Sequence, residues 1–100
     1  MGVHVVVAYD VRDDKVRERV RRLLWRYGLS PISKSVYAGR LTWNKAERLA
    51  KRLSEVLDST DLVVIVPVED SNFNRAINVT RYTVWRRKEE YDVLVFGTDT

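Results

Sequence analysis

Two amphipathic helical stretches interleaved with short β-branched runs constrain this chain more than any other feature. Val3 to Tyr9 is too short and too rich in valine for a helix, and reads as a largely buried strand that stops at Asp10. Val16, Val20, Leu23, Leu24 and Tyr27 then recur at helical spacing, with Asp13 placed as N-cap and Gly28 just past the end. Ser30-Pro31 marks a break, after which Ile32, Lys34, Val36 and Ala38 alternate with Ser33, Ser35 and Tyr37 as extended chain ended by Gly39. Thr42 is placed to cap a second helix, whose apolar face runs from Trp43 through Ala46, Leu49 and Leu53 to Leu57. Asp61 to Val68 contains Leu-Val-Val-Ile-Val, and this continuous apolar run reads as a buried central strand with Pro67 at its end. Glu69 to Asn74 is polar and loop-like; Ile77 to Trp85 and Tyr91 to Phe96 read as further extended segments.

Right-handed crossovers lay both helices on one face of an antiparallel sheet, so the order predicts an α+β, ferredoxin-like βαββαβ fold. Residues 29 to 41 are short for two full middle strands and fit either a short hairpin or one bent strand. Residues 1 to 100 make one domain, of which about 77 to 100 form a C-terminal extension. That extension has no free place in a four-stranded core and suits an exchanged strand in a homodimer.

Composition narrows the chemistry. With no cysteine and the single His4, disulfides, thiol catalysis and cysteine- or histidine-rich zinc sites are excluded. What metal chemistry remains is carboxylate and hard-cation chemistry. No stretch approaches the ~20 apolar residues of a membrane span, and no basic leader precedes the first strand, so the chain is expected to be soluble and cytoplasmic. Between Arg12 and Arg26 seven basic residues face three acidic ones, a balance of +4 that equals the net charge of the whole chain. Such a segment is either a solvated helix face or a phosphate-binding surface.

The pieces together resemble a known family. Tyr9-Asp10 ending a strand, Asp13-Asp14 and Val16-Arg17-Glu18-Arg19-Val20 opening a helix, Tyr27-Gly28-Leu29, Ser35-Val36-Tyr37-Ala38-Gly39 and Val66-Pro67-Val68 are similar, in order and spacing, to the CRISPR-associated protein 2 family over residues 3 to 80. The resemblance implies a ferredoxin-like homodimer acting in spacer acquisition, with the acquisition integrase as partner. It also implies a metal-dependent endonuclease, acting on single-stranded RNA or double-stranded DNA, with Asp10 as metal ligand and catalytic carboxylate.

Read from the residues alone, Asp10 is as well explained as a turn former at a strand end. One carboxylate cannot cage Mg²⁺, so a shared ion needs the Asp10 of both subunits at a two-fold axis. Tyr9 is the second candidate catalytic residue, and also reads as a core or interface aromatic pointing away from Asp10. Arg17, Arg19, Arg21, Arg22 and Arg26 are the candidate nucleic-acid contacts. Lys34 joins them, because Pro31 stands where many family members carry arginine. The resemblance places Ser35, Tyr37 and Gly39 near the dimer axis, with Tyr37 the expected interface residue. Trp25 falls opposite the apolar stripe of its helix, where it serves a protein contact or a base-stacking surface.

The leading expectation is a dimer that binds double-stranded DNA through phosphates and cleaves nucleic acid through Asp10. The alternative is a non-catalytic DNA-binding scaffold for the integrase. An RNA-recognition or ligand-sensing domain on the same fold is disfavoured, since the aromatic RNA-recognition signature is missing and the basic segment has no role in it.

Overall fold

The computed structural model describes residues 2–86 and the backbone of Val93 and Leu94. The chain divides into two compact units, Met1–Val68 and Glu69–Thr100.

The first unit contains β1 (Val3–Asp10), α1 (Asp14–Arg26), β2 (Ser30–Ser33), β3 (Val36–Leu41), α2 (Trp43–Val56) and β4 (Leu62–Val68). Its four strands lie in the order β2-β3-β1-β4, every neighbour antiparallel, which is the ferredoxin-like arrangement. Both helices start where the sequence places them. Asp13 accepts a hydrogen bond from the Val16 amide at 3.0 Å, and Thr42 accepts one from the Lys45 amide at 3.2 Å. At the far end of α1, the Gly28 amide donates to Trp25 O and the Leu29 amide to Leu24 O, at 2.8 and 3.0 Å. This double closure needs a left-handed residue, and Gly28 supplies it at φ 84°.

Alternation along β1 sends Val5, Val7 and Tyr9 toward the helices, where they pack with Val20 and Leu24 of α1 and Leu49 and Leu53 of α2. The opposite face carries Val6, Ala8 and Asp10, registered against Val66, Val64 and Leu62 of β4. Leu62, Val64 and Val66 are exposed, Leu62 to 59%.

Residues 29–41 form a hairpin, one of the two arrangements left open by their length, turning at Lys34-Ser35. The turn lacks glycine or asparagine; β1 holds it instead, the Tyr9 amide donating to Ser35 O at 3.0 Å and the Tyr9 hydroxyl to Lys34 O at 2.6 Å. Gly39 does not end the strand but lies inside β3, where a Cβ would approach Leu29 Cδ2 to 2.9 Å and Gly28 O to 3.1 Å. The glycine therefore lets the segment leaving α1 rest on the sheet. β4 is an edge strand and β1 the central one. A continuous apolar run fits burial on both faces, but only Val63 and Ile65 of β4 reach the core.

The second unit holds α3 (Asp70–Asn74), β5 (Ile77–Val79), β6 (Val84–Arg86) and β7 (Val93–Leu94), the strands forming a sheet in that order. Where the sequence predicts a loop, α3 makes one helical turn with Phe73 buried, a single apolar anchor too short for periodicity to register. Ile77 to Trp85 is a hairpin, not one strand. Its turn rests on threonine: Thr80 N donates to Thr83 O at 2.8 Å and Thr83 N to Thr80 Oγ1 at 3.1 Å. Of the segment Tyr91 to Phe96, Val93 and Leu94 are extended as expected and the rest lies outside the described residues.

Candidate functional site

Five of the residues singled out by sequence meet in one cleft. Tyr9, Asp10, Arg17, Arg21 and Lys34 line it together with Val11 and Ser35, around a volume of about 710 Å³. The fold explains the meeting: the end of β1 supplies Tyr9 and Asp10, the first turns of α1 supply Arg17 and Arg21, and the β2–β3 turn brings Lys34 alongside. Asp10 is exposed, and among the described residues its carboxylate has no hydrogen-bond or ion-pair partner.

The cleft's other polar groups are partly committed to the fold. Tyr9 is 6% exposed, and its hydroxyl both donates to Lys34 O and accepts from Arg21 Nε at 3.2 Å. That acceptor raises the Arg21 guanidinium pKa above its ordinary value, with a smaller contribution from Glu18. Arg17 Nη1 donates to Val11 O and Arg12 O at 3.0 and 3.2 Å, and Nη2 pairs with Asp14. Arg17 thus ties down the loop between β1 and α1 while one side of it lines the cleft. With Tyr9 occupied in both directions, its direct effect is to position Arg21 and the Lys34 turn.

The remaining candidates lie elsewhere. Arg19 and Arg22 are exposed on α1, Arg22 lying 3.7 Å from Glu18. Arg22 and Arg26 line a smaller cavity of about 380 Å³ with Glu18, Arg21, Trp25 and Tyr37. Trp25 is 74% exposed, in keeping with its position opposite the apolar stripe. Tyr37, expected at a dimer interface, is buried on the helix side of the sheet, its ring centroid 6.2 Å from that of Tyr9. It therefore builds the core of its own chain and leaves little surface for a partner.

Sequence reasoning missed the basic residues of α2. Lys45, Arg48, Lys51 and Arg52 line a groove of about 590 Å³ with Arg26 and Tyr27 of α1. Their spacing was the available signal, since positions 45, 48 and 52 fall on one flank of a helix. Charge summed by segment hides them behind Glu47 and Glu55.

One chain's donor set suits only a share in a hard-cation site. Among the described residues no three acidic or histidine side chains gather as a metal would require. Asp10 is, among the described residues, the one carboxylate lining the cleft, and Mg²⁺ takes one or two protein carboxylates with the rest of its shell from water and phosphate. No helix among the described residues is long and apolar enough to cross a membrane.

Comparison with known proteins agrees with this geometry. The family model described as CRISPR associated protein Cas2 matches residues 3–76. A protein of Thermofilum pendens named CRISPR-associated endoribonuclease Cas2 is 42% identical, over 72% of this chain and 77% of its own. A protein of Archaeoglobus fulgidus with the name CRISPR-associated endoribonuclease Cas2 1 is 34% identical over 88% of this chain and 94% of its own. In Thermoproteus tenax a CRISPR-associated endonuclease Cas1/endonuclease Cas2 fusion is 30% identical over 79% of this chain and 30% of the fusion. Among solved structures, one described as the crystal structure of cas2 superposes with a TM-score of 0.67 at 29% identity, covering 80% of this chain and 90% of that one. With a ferredoxin-like sheet, an unpaired carboxylate at the end of its central strand and these relatives across most of its length, the chain belongs to the Cas2 family of CRISPR-associated proteins.

Proposed function

We propose that this protein acts as a homodimeric, metal-dependent endonuclease of CRISPR spacer acquisition that also holds double-stranded DNA by its phosphates. The observation that carries the reading is the position of Asp10. It lies unpaired on the exposed, helix-free face of the first unit's sheet, at the rim of a cleft bordered by Arg17, Arg21 and Lys34. Leu62, Val64 and Val66 share that face, and burying them against a second copy is the favourable occupant for such an apolar surface. Two-fold pairing of this face brings two Asp10 carboxylates toward one axis. Residues 77 to 100 are the proposed exchanged extension. The fusion of a Cas2 to a Cas1 in a relative supports the acquisition integrase as partner.

In the dimer, Asp10 of each copy would hold one Mg²⁺ or Mn²⁺ ion. When bound, that ion supplies positive charge to the scissile phosphate and acidifies water for in-line attack. The chain's own residues do the rest. Arg21, held in place by the Tyr9 hydroxyl, and Lys34 offer charge to the phosphate oxygens, while Arg17 fixes the loop that carries Asp10 into α1. Tyr9 therefore acts as a positioning residue. Names of relatives favour RNA as cleavage substrate, so single-stranded RNA and double-stranded DNA belong in the same assay.

The test is Asp10→Asn, which keeps shape and removes one negative charge per chain. Cleavage is expected to fall by about 10²-fold or more, with metal binding falling in parallel. DNA binding persists or tightens, because carboxylates repel phosphates. Cleavage at the wild-type rate by a folded Asp10→Asn protein would refute this assignment. A wild-type protein that binds DNA and cleaves neither substrate would instead establish the non-catalytic scaffold.

A further inference from the structure

We infer that the groove between α1 and α2 is a second nucleic-acid surface, a track for the phosphate backbone separate from the Asp10 cleft. The groove gathers Arg26 of α1 with Lys45, Arg48, Lys51 and Arg52 of α2, against Glu55 as its one carboxylate. It shares no lining residue with the cleft that contains Asp10. Among the described residues none of these five cationic side chains has an ion-pair or side-chain hydrogen-bond partner. On α1, by comparison, Arg17, Arg21 and Arg22 pair with Asp14 or Glu18, while Lys15 and Arg19 stand unpaired among the described residues and apart from the groove.

Five cations against one carboxylate around a groove of about 590 Å³ leave net repulsion among them. The core uses the other flank of α2, where Ala46, Leu49 and Leu53 are buried. An anion with repeating charge relieves the repulsion at every position. From Lys45 to Arg52 the helix advances about 10 Å at 1.5 Å per residue. That is about the axial rise of three nucleotides on one strand of a duplex at 3.4 Å each. The spacing therefore fits several consecutive phosphates better than one small anion. Arg48, Lys51 and Arg52 sit within about one turn of α2, and cations that meet phosphates position a duplex without reading its sequence. This rests on the reading above only in choosing nucleic acid as the polyanion.

The experiment measures binding of full-length protein to a fluorescent DNA duplex of mixed sequence, in EDTA so that cleavage cannot interfere. Arg48→Glu with Arg52→Glu is expected to lower affinity by about 10²-fold and to flatten the slope of log K against log salt by about 2, one for each lost phosphate contact. Arg48→Gln with Arg52→Gln should give the same change in slope with a smaller loss of affinity. It keeps the test valid if the reversed charges disturb folding. Unchanged affinity and slope in the Gln variant overturn the inference. If an Arg19→Glu, Arg22→Glu protein loses DNA binding in that same assay, the nucleic-acid reading survives and only the groove fails. Loss of a protein partner's binding at unchanged DNA affinity would likewise overturn it, assigning the groove to an acidic protein surface.

Discussion

The end of β1 and the α1–α2 groove are both lined by arginine and lysine, yet they use charge in opposite ways. Around Asp10 the two arginines are anchored, though Lys34, among the described residues, is not: Arg17 is tied to two loop carbonyls and Asp14, and Arg21 to the Tyr9 hydroxyl and Glu18. Those bonds cost freedom to meet a ligand but hold the charges in place, which is what stabilising a developing charge demands. In the groove the cations have no internal partner and keep their rotamer freedom. That suits holding a backbone in many registers, where position matters less than total charge. Basic residues counted along a chain do not reveal this division. Their partners do.

The comparison breaks most visibly at the open face of the sheet. Val64→Asp with Val66→Asp places unpaired charge where a second copy is proposed to dock, a cost of several kcal/mol per buried charge. The dimer is expected to weaken by about 10²-fold or more. Light scattering should then report the 11.7 kDa chain mass in place of twice that value. Cleavage should vanish with the dimer if the proposed site with two Asp10 residues performs it, while the groove keeps its affinity per chain. Retained cleavage by the monomer would show that one chain suffices.

A smaller effect is expected at Tyr9→Phe, which removes the donor to Lys34 O and the acceptor for Arg21. Loss of those bonds should lower stability by about 1 kcal/mol in chemical denaturation. Cleavage should fall further than DNA affinity, because Arg21 and the Lys34 turn lose their alignment while the groove is untouched. A wild-type cleavage rate would place alignment elsewhere. The smallest effects sharpen the contrast between anchored and free arginines. Arg17→Ala should cost about 1 kcal/mol of stability. Arg48→Ala should change stability by no more than about 0.5 kcal/mol, as surface substitutions do, yet weaken DNA binding. Equal thermal shifts for the two would mean that the groove is also structural.

Both helices, their caps at Asp13 and Thr42, and the glycine stop at Gly28 were legible because each is a local arrangement of hydrogen bonds and periodic apolar residues. Asp10 was legible too, though as a resemblance more than as chemistry, since a lone aspartate at a strand end has an ordinary role. The placement of Tyr37 was not. Which side of a strand faces the helices depends on its register with β1, and Val7 opposite Tyr37 decides it.

By itself the sequence determined β1, both long helices, the ferredoxin-like class and the basic balance of α1, because period, capping and composition act over a few residues. Tertiary structure decided what those residues work against. A turn with no glycine or asparagine forms at Lys34-Ser35 because Tyr9 binds two of its carbonyls from another strand. An apolar run that suits a central strand ends at the edge, because β1 is flanked by β3 on one side and leaves only its other side for β4. Arg21 pairs locally with Glu18 but is also held by the Tyr9 hydroxyl that β1 brings within reach from 12 residues away, and Coulomb and hydrogen-bond energies depend on that distance and not on separation along the chain.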